Sequence, residues 1–108
     1  MKLLASTRSK YRAQGVHHED GYFHSKAELA RWLDLKNLQR SGQISELERQ
    51  VRIPLTVNGH LICNYVADFC YLENDQYVYE DRKGFETPEF KLKKKLFEAT
   101  QGKELRIT

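Results

Sequence analysis

The chain has 108 residues, of which 40% are apolar and 31% are charged. This length predicts one domain, and the composition excludes collagen-like and low-complexity proteins. The 18 Lys and Arg residues against 15 Asp and Glu give a net charge of +3, which by itself does not indicate a nucleic-acid partner. No apolar run approaches the roughly 20 residues of a membrane span, and residues 1–8 are too polar for a secretory leader. We therefore expect a soluble, cytoplasmic protein with no membrane partner.

The basic residues are unevenly distributed along the chain. Arg8, Lys10 and Arg12 precede the first acidic residue, and we interpret residues 1–14 as a flexible basic arm before a single domain at 15–108. A second cluster consists of Lys91, Lys93, Lys94 and Lys95. Such clusters can bind phosphates although the net charge is small, and a solvated tail and a solvated helix face explain them equally well.

The first half of the chain predicts a hairpin followed by a helix. Asp20-Gly21 is a favoured hairpin turn, although the segments on either side are short. Apolar residues then recur at helical spacing until Ser41-Gly42, which ends the helix. Ser25 and Glu28 occupy the two positions of a capping box at its start. That capping role alone would explain why an acid stands at position 28.

The second half predicts three antiparallel strands, a helix and a short last strand. The predicted strands are 51–57, 60–72, 77–82 and 105–107. Asn58-Gly59 is typical of a two-residue hairpin turn, and Pro54 is expected only in an edge or irregular strand. Segment 44–50 is ambiguous. The fold class is therefore α/β (α+β), with a mixed central sheet flanked by helices.

The helix that follows these strands is predicted to begin at Pro88, with Thr87 as its N-cap, and to end at Gly102. Its spacing places Leu92, Leu96 and Ala99 on the apolar face. The opposite face then carries Lys91, Lys94, Lys95 and Glu98. Next to a nucleic-acid site, these lysines would contact phosphates in a salt-dependent manner.

Two aspartates are predicted to lie opposite each other in the second hairpin. If Asn74-Asp75 forms the centre of its loop, Asp68 pairs with Asp81, and their Cβ atoms lie about 5 Å apart on one face. Lys83, two residues further, then points the same way. Like charges at this distance need compensation, and Mg²⁺ is well suited to carboxylate oxygens.

Other arrangements of this hairpin remain open. A loop of three or five residues would shift the register by one and separate the two aspartates. An exposed hairpin would leave Asp68 and Asp81 solvated or bridged by Lys83. Glu80 should point to the other side of the sheet, paired with Arg82 or a helix lysine. Tyrosines on these strands are packing residues more often than base-stacking ones.

The order of these residues resembles that of a known superfamily. Glu28, then Asp68, then Asp81-Arg82-Lys83 resembles the PD-(D/E)XK nucleases. The segments FHSKAE, NYVADF, YEDRKGFETPEFKLKKKLF and the closing LRI are similar to a family of small, mostly phage-encoded proteins in that superfamily. The resemblance covers residues 21–107 and implies a restriction-endonuclease-like core.

The resemblance also implies roles for individual residues. Asp68 and Asp81 would hold Mg²⁺, for which Mn²⁺ can substitute, and Glu28 would complete the metal shell or hold a metal-bound water. Lys83 would orient the attacking water and offset phosphate charge. Gln50 matches a glutamine often present in such domains and would contact the metal or the scissile phosphate.

These expectations add up to a Mg²⁺-dependent DNA endonuclease, with catalytic residues Glu28, Asp68, Asp81 and Lys83. The expected DNA contacts are Gln50, Lys91, Lys94, Lys95, Arg8, Lys10 and Arg12. A chain this short predicts a homodimer that cuts branched or nicked DNA, in the cytoplasm of a bacterial host if it is phage-encoded. RNA stays open as a substrate. The alternatives are a non-catalytic nucleic-acid-binding module and a host-takeover protein that binds another protein on the same fold.

Overall fold

A computed structural model describes residues 15–108; the predicted basic arm with Arg8, Lys10 and Arg12 lies outside the described residues. The described elements are β1 (Val16–His18), β2 (Gly21–Phe23), α1 (Lys26–Arg40), β3 (Ser45–Val57), β4 (His60–Glu73), β5 (Gln76–Asp81), α2 (Pro88–Gln101) and β6 (Arg106–Ile107). Strands β1 and β2 form a separate hairpin, and the order in the larger sheet is β3-β4-β5-β6. The last pair is parallel and the others are antiparallel. The predicted α+β class is confirmed.

Two tight turns determine the register of the larger sheet. Asn58-Gly59 and Asn74-Asp75 all have positive φ angles, as a type I′ turn requires at both central residues. The second turn pairs Glu73 with Gln76 and, at the far end, Phe69 with Glu80. This is the register that a two-residue loop predicts, so Asp68 and Asp81 follow directly on the last paired residues.

Both helices begin at side chains that cap their first turn. The Ser25 hydroxyl accepts a hydrogen bond from the Glu28 amide at 3.0 Å, and the Thr87 hydroxyl accepts one from the Phe90 amide at 3.0 Å. Gly102 ends α2 in the left-handed conformation that favours glycine. These predicted boundaries are confirmed. Within residues 15–108, neither helix is long and apolar enough to cross a membrane.

The buried face of α2 differs from the predicted one. Phe90 and Phe97 are buried, whereas Leu92 is 69% exposed and Ala99 is exposed. Both phenylalanine rings pack against Tyr65 of β4. The prediction is right for Leu96, which packs against the core, and wrong for Leu92 and Ala99, because the larger aromatic rings bury more apolar surface and determine which side of α2 contacts the sheet.

The core consists of two clusters, one under each helix. The cluster under α2 contains Ile53, Leu55, Tyr65, Ala67, Phe90, Phe97 and Leu105. The cluster under α1 contains Leu35, Ile44, Phe69 and Tyr71. Along β4, residues up to Ala67 therefore belong to the α2 cluster and residues from Phe69 to the α1 cluster. The change occurs at Asp68, opposite Gln50 of β3.

The neighbouring strand shows the same change. Ile53 and Leu55 belong to the α2 cluster, whereas Leu47 packs against the α1 cluster. Between them, Gln50 has a φ of +54°, a left-handed conformation that costs a residue other than glycine roughly 1–2 kcal/mol. Segment 44–50, which the sequence left ambiguous, is thus strand from Ser45 onward with an irregular backbone, and the irregularity at Gln50 coincides with the predicted site.

Candidate metal and nucleic-acid site

Asp68 and Asp81 are linked through the backbone at the point where β4 and β5 diverge. The amide of Asp68 donates a hydrogen bond to Oδ1 of Asp81 at 2.8 Å. The amide of Arg82 donates to Oδ2 of Asp68 at 3.0 Å. Each carboxylate thus accepts an N–H group from the opposite strand, which orients both side chains and compensates part of their charge.

Gln50 connects Asp68 to the first helix. Its Nε2 atom lies 3.2 Å from Oε2 of Glu28 and 3.4 Å from Oδ1 of Asp68. One amide group therefore donates to two carboxylates from different elements. Strained backbone conformations often accompany functional sites, and the left-handed Gln50 joins two of the three predicted metal ligands, Glu28 and Asp68.

Glu28 is buried in the first turn of α1, where its amide donates to the Ser25 cap. Its side chain lies 3.5 Å from Nδ1 of His24 and 3.9 Å from the guanidinium of Arg49. Burial raises the pKa of Glu28, and the negative charge of Asp68 raises it further, against the opposing effect of His24 and Arg49. The cap and the site therefore use different parts of the residue: the backbone amide binds Ser25 and the carboxylate faces Gln50.

Asp81 is enclosed more completely than Asp68. The hydroxyl of Tyr65 donates to its Oδ2 atom, and the Asp68 amide occupies Oδ1. Burial raises the pKa of Asp81, although the Asp68 amide and the charge of Lys83 act in the opposite direction. Asp81 also borders a cavity of 260 Å³ that Phe90 and Lys93 help to line.

A second, larger cleft lies on the other side of Lys83. Its volume is 430 Å³. It is lined by Tyr22, His24, Ser25, Glu28, Asp68, Arg82, Lys83 and Gly84. Lys83 also lines the cavity beside Asp81, where its Nζ atom lies 4.5 Å from the centroid of the Phe90 ring. The predicted acids and lysine are thus brought together, but Asp68 and Asp81 border different cavities with Lys83 between them.

Glu80 lies outside this site, within a closed polar network. Arg31 of α1 donates to it twice, at 2.6 and 3.1 Å. The hydroxyls of Tyr71 and Thr108 donate at 2.6 and 2.9 Å. The sequence placed Glu80 on the side away from Asp81, but its partner is Arg31, neither Arg82 nor a lysine. The sequence offered no local signal for that contact, which joins residues 49 positions apart.

The predicted DNA-contacting lysines of α2 differ in their surroundings. Lys91 and Lys95 are exposed, and Lys94 forms an ion pair with Glu98 at 3.1 Å. Lys93, which was left out of the predicted contacts, lines the cavity beside Asp81 and lies 3.5 Å from Glu89. Lys93 lies one helical turn after the buried Phe90 and therefore on the same side of α2. Phe90 could have predicted this position from the sequence, but the prediction followed the spacing of the leucines instead.

The potential metal ligands do not form a preassembled cluster. Within residues 15–108, no group of three or more His, Cys, Asp or Glu side chains has an arrangement that would hold a metal ion. Gln50 lies between Glu28 and Asp68, and Asp81 is turned toward Tyr65. The three carboxylates are therefore neighbours, linked through Gln50 and the Asp68 amide, but they do not converge on a single point.

The fold and the site define a small α+β protein with an acidic cleft where two antiparallel strands diverge. A family model described as "Protein of unknown function (DUF1064)" matches residues 8–108. The chain therefore belongs to the DUF1064 family. No curated protein and no solved structure matches it.

Proposed function

We propose that the protein is a Mg²⁺-dependent endonuclease that hydrolyses phosphodiester bonds in DNA, with branched or nicked DNA as its preferred substrate and the cytoplasm of a bacterial host as its place of action. The main observation that supports the proposal is the acidic cleft. In it, Gln50 joins Glu28 to Asp68, and the Asp68 amide holds the neighbouring Asp81. Carboxylates arranged beside Lys83 are the groups that metal-assisted phosphodiester hydrolysis needs.

The donor set suits a hard divalent cation. Glu28, Asp68 and Asp81 supply carboxylate oxygens, which Mg²⁺ prefers. Burial raises the pKa of Glu28 and of Asp81, so their ionised forms lack full compensation within the protein, and a dication would provide it. We infer that Asp68 and Asp81 hold Mg²⁺, or Mn²⁺ in its place, and that Glu28 completes the shell.

The surrounding residues would act on the phosphate and on the ligands. Bound Mg²⁺ would supply Lewis acidity at the phosphate and favour deprotonation of the attacking water. Lys83 lies between the two cavities, where its ammonium would stabilise the charge that develops on the phosphate oxygens. Gln50 orients Glu28 and Asp68 through its amide. Gly84 leaves open space beside Lys83, which permits close approach of a DNA backbone.

The basic residues of α2 would bind the DNA backbone where it extends away from the cleft. Lys93 borders the cavity beside Asp81, and Lys91 and Lys95 are exposed further along the helix. We propose that these three lysines bind phosphates, and that Lys94 and the arm residues Arg8, Lys10 and Arg12 bind further ones. Replacing one phosphate-binding lysine by alanine should make the plot of log K against log [salt] less steep by about 0.9.

We also propose a homodimer formed through the β3–β4 hairpin. Strand β5 pairs with β4 only over Phe69–Glu73, so among the described strands the β4 edge from His60 to Ala67 has a single neighbour, β3. Val57, Leu61, Ile62 and Val66 on this hairpin are exposed. A strand edge with apolar side chains can pair antiparallel with its own copy, and two copies would present two sites to branched DNA.

A non-catalytic nucleic-acid-binding module is the second candidate, and a specific observation favours it. All four carboxylate oxygens of Asp68 and Asp81 already accept hydrogen bonds, from Gln50, Arg82, Tyr65 and the Asp68 amide. Such a network can serve as structure alone, with Lys83 and the α2 lysines as the binding groups. Metal-dependent cleavage separates the two candidates.

The test compares cleavage of a four-way junction, a nicked duplex and an intact duplex by the wild type, Asp68→Asn and Asp75→Asn. Asp75 is an exposed aspartate at the turn of the same hairpin, which makes it a matched control for the same chemical change. We expect Mg²⁺-dependent cleavage that falls at least about 100-fold in Asp68→Asn and is unchanged in Asp75→Asn.

Two outcomes would contradict the endonuclease. If the wild type binds DNA but cuts none of the three substrates with Mg²⁺ or Mn²⁺, the binding module is supported. If no DNA binding is detected at low salt, a protein-binding role such as host takeover is favoured. Cleavage that persists in Asp68→Asn would show that the acidic cleft is not the active site.

A further inference from the structure

The β1–β2 hairpin forms an exposed aromatic surface beside the acidic cleft. The Tyr22 ring centroid lies 5.0 Å from that of His17 and 5.6 Å from that of His24. Tyr22 is 48% exposed, and the two histidines are exposed as well. Phe23, the next residue, is fully buried, so the hairpin is anchored through Phe23 and leaves Tyr22 outside the core.

Tyr22 is held in position, and its position is at the cleft. Arg49 donates a hydrogen bond to the Tyr22 carbonyl at 2.6 Å, which fixes the backbone of β2 to the larger sheet. The phenol end lies so close to Gly15 that a Cβ at that position would overlap the Tyr22 ring. Tyr22 and His24 both line the cleft that contains Glu28, Asp68 and Lys83.

An exposed planar ring next to a phosphate-binding site suits a nucleotide. Aromatic side chains stack on bases of any sequence, and adjacent cations bind the backbone. In an intact duplex, however, each base is already stacked on its neighbours and cannot reach a ring beside the phosphate. Only an unpaired base, or one that has left the stack, can lie on Tyr22.

We propose that Tyr22 binds an unpaired base of the DNA substrate, next to the phosphate that the acidic cleft receives. The proposal rests on the function proposed above and refines it: the preferred substrates carry an unpaired nucleotide at the site of cleavage, as at a flap, a bulge or an open junction. Tyr22 is thus a specificity-determining residue. His17 and His24 contact the Tyr22 ring.

Binding measured without cleavage tests the proposal independently of the nuclease activity. Asp68→Asn protein, in EDTA, is titrated into a duplex with one bulged 2-aminopurine and into the same duplex with that base paired. The same titrations are made with Tyr22→Leu and Tyr22→Trp added to Asp68→Asn. Tyr77→Leu is the matched control, because Tyr77 is 45% exposed on β5 and lies outside the cleft.

We expect quenching of 2-aminopurine in the bulged duplex and about tenfold weaker binding of this duplex by Tyr22→Leu. Tyr22→Trp should restore the affinity, and Tyr77→Leu should not change it. Binding of the paired duplex should be the same for all variants. Circular dichroism and the melting temperature confirm that each variant is folded.

The proposal would be overturned by equal affinity of Tyr22→Leu for the bulged duplex, or by an equal loss for both duplexes. In either case the endonuclease proposal stands if the wild type still cuts junction DNA. Conversely, Tyr22-dependent binding of the bulged duplex by a protein that never cleaves would support the base-binding site and reject the endonuclease.

Discussion

Glu80 and Asp81 are adjacent in the sequence and almost equally buried, at 0% and 1% exposed, but their carboxylates behave in opposite ways. At Glu80, burial would raise the pKa, yet hydrogen bonds from Arg31, Tyr71 and Thr108 outweigh it and the pKa is lowered. At Asp81, burial prevails over the Asp68 amide and the charge of Lys83, and the pKa is raised.

The difference separates a carboxylate whose charge is compensated within the protein from one whose charge is compensated less completely. Glu80 is paired with a guanidinium that lies within hydrogen-bond distance of both its oxygens, so it needs nothing from outside the protein. Asp81 accepts its hydrogen bonds from neutral groups, the Tyr65 hydroxyl and a backbone amide. Groups with raised pKa values beside a cavity are candidates for functional sites, and strand alternation places such a residue directly next to one that stabilises the fold.

Replacing each carboxylate by its amide should lower the free energy of unfolding by very different amounts at the two positions. Glu80→Gln leaves Arg31 without its counterion and should cost roughly 3–5 kcal/mol. Asp81→Asn keeps an oxygen for the Asp68 amide, and the Tyr65 hydroxyl can rotate to accept from the new NH₂ group, so it should cost about 1 kcal/mol or less. Urea unfolding of both variants measures the difference. Equal losses would mean that Asp81 is as structural as Glu80.

The sequence predicted the register of this hairpin because two-residue turns have few solutions. Asn74-Asp75 accepts positive φ at both positions, and that pairing determines where Asp68 and Asp81 meet. It did not predict that the helix covering the sheet changes at Gln50 and Asp68, because the apolar residues keep their alternation there, from Tyr65 to Tyr71. The alternation of apolar residues in a strand indicates which side chains are buried, but it does not indicate which helix covers them.

The same limit explains which contacts the sequence missed. Caps and turns depend on residues close in the chain, so Ser25, Thr87 and Gly102 were assigned correctly. The Arg31–Glu80 pair and the position of Tyr22 at the cleft depend on how α1 and the first hairpin pack on the sheet. Those contacts result from the packing of elements that are distant in the sequence, and no local sequence pattern predicts them.

A divalent cation should stabilise the protein through Asp81 but not through Glu80. A ligand at 100 times its Kd stabilises the folded state by about 2.7 kcal/mol, which corresponds to a rise of roughly 10–20 °C in Tm for a domain of this size. We expect this rise with Mn²⁺ in the wild type and in Glu80→Gln, from its lower starting Tm, and its loss in Asp81→Asn. Thermal unfolding with and without Mn²⁺ provides the measurement. A full rise in Asp81→Asn would exclude Asp81 as a ligand.

The two carboxylates should also give stability opposite dependences on pH. Because the pKa of Glu80 is lowered from 4.5, its contribution is present above that value and is lost as the pH falls through the folded pKa. Because the pKa of Asp81 is raised from 3.8, its contribution is present below that value and is lost as the pH rises through the folded pKa.

Asp81→Asn and Glu80→Gln allow both pH dependences to be measured. As the pH rises from about 3 to 7, Asp81→Asn should gain stability relative to the wild type, while Glu80→Gln should fall further below it. Urea unfolding of the three proteins across this range, without divalent cations, tests both slopes. If the two differences changed in the same direction with pH, the assignment of opposite environments would be wrong.

The smallest expected effect concerns a single hydroxyl of the Glu80 network. Thr108 donates to Oε2 of Glu80 at 2.9 Å, an atom that also accepts from Arg31. Thr108→Val removes this donor and keeps the shape of the side chain, so it should cost about 0.5–1.5 kcal/mol, far less than Glu80→Gln. Because the guanidinium remains as counterion, the Mn²⁺-dependent rise in Tm should be unchanged. A loss as large as that of Glu80→Gln would show that the hydroxyl, more than Arg31, keeps Glu80 ionised. The contrast between the charged partner of Glu80 and the neutral partners of Asp81 would then be wrong.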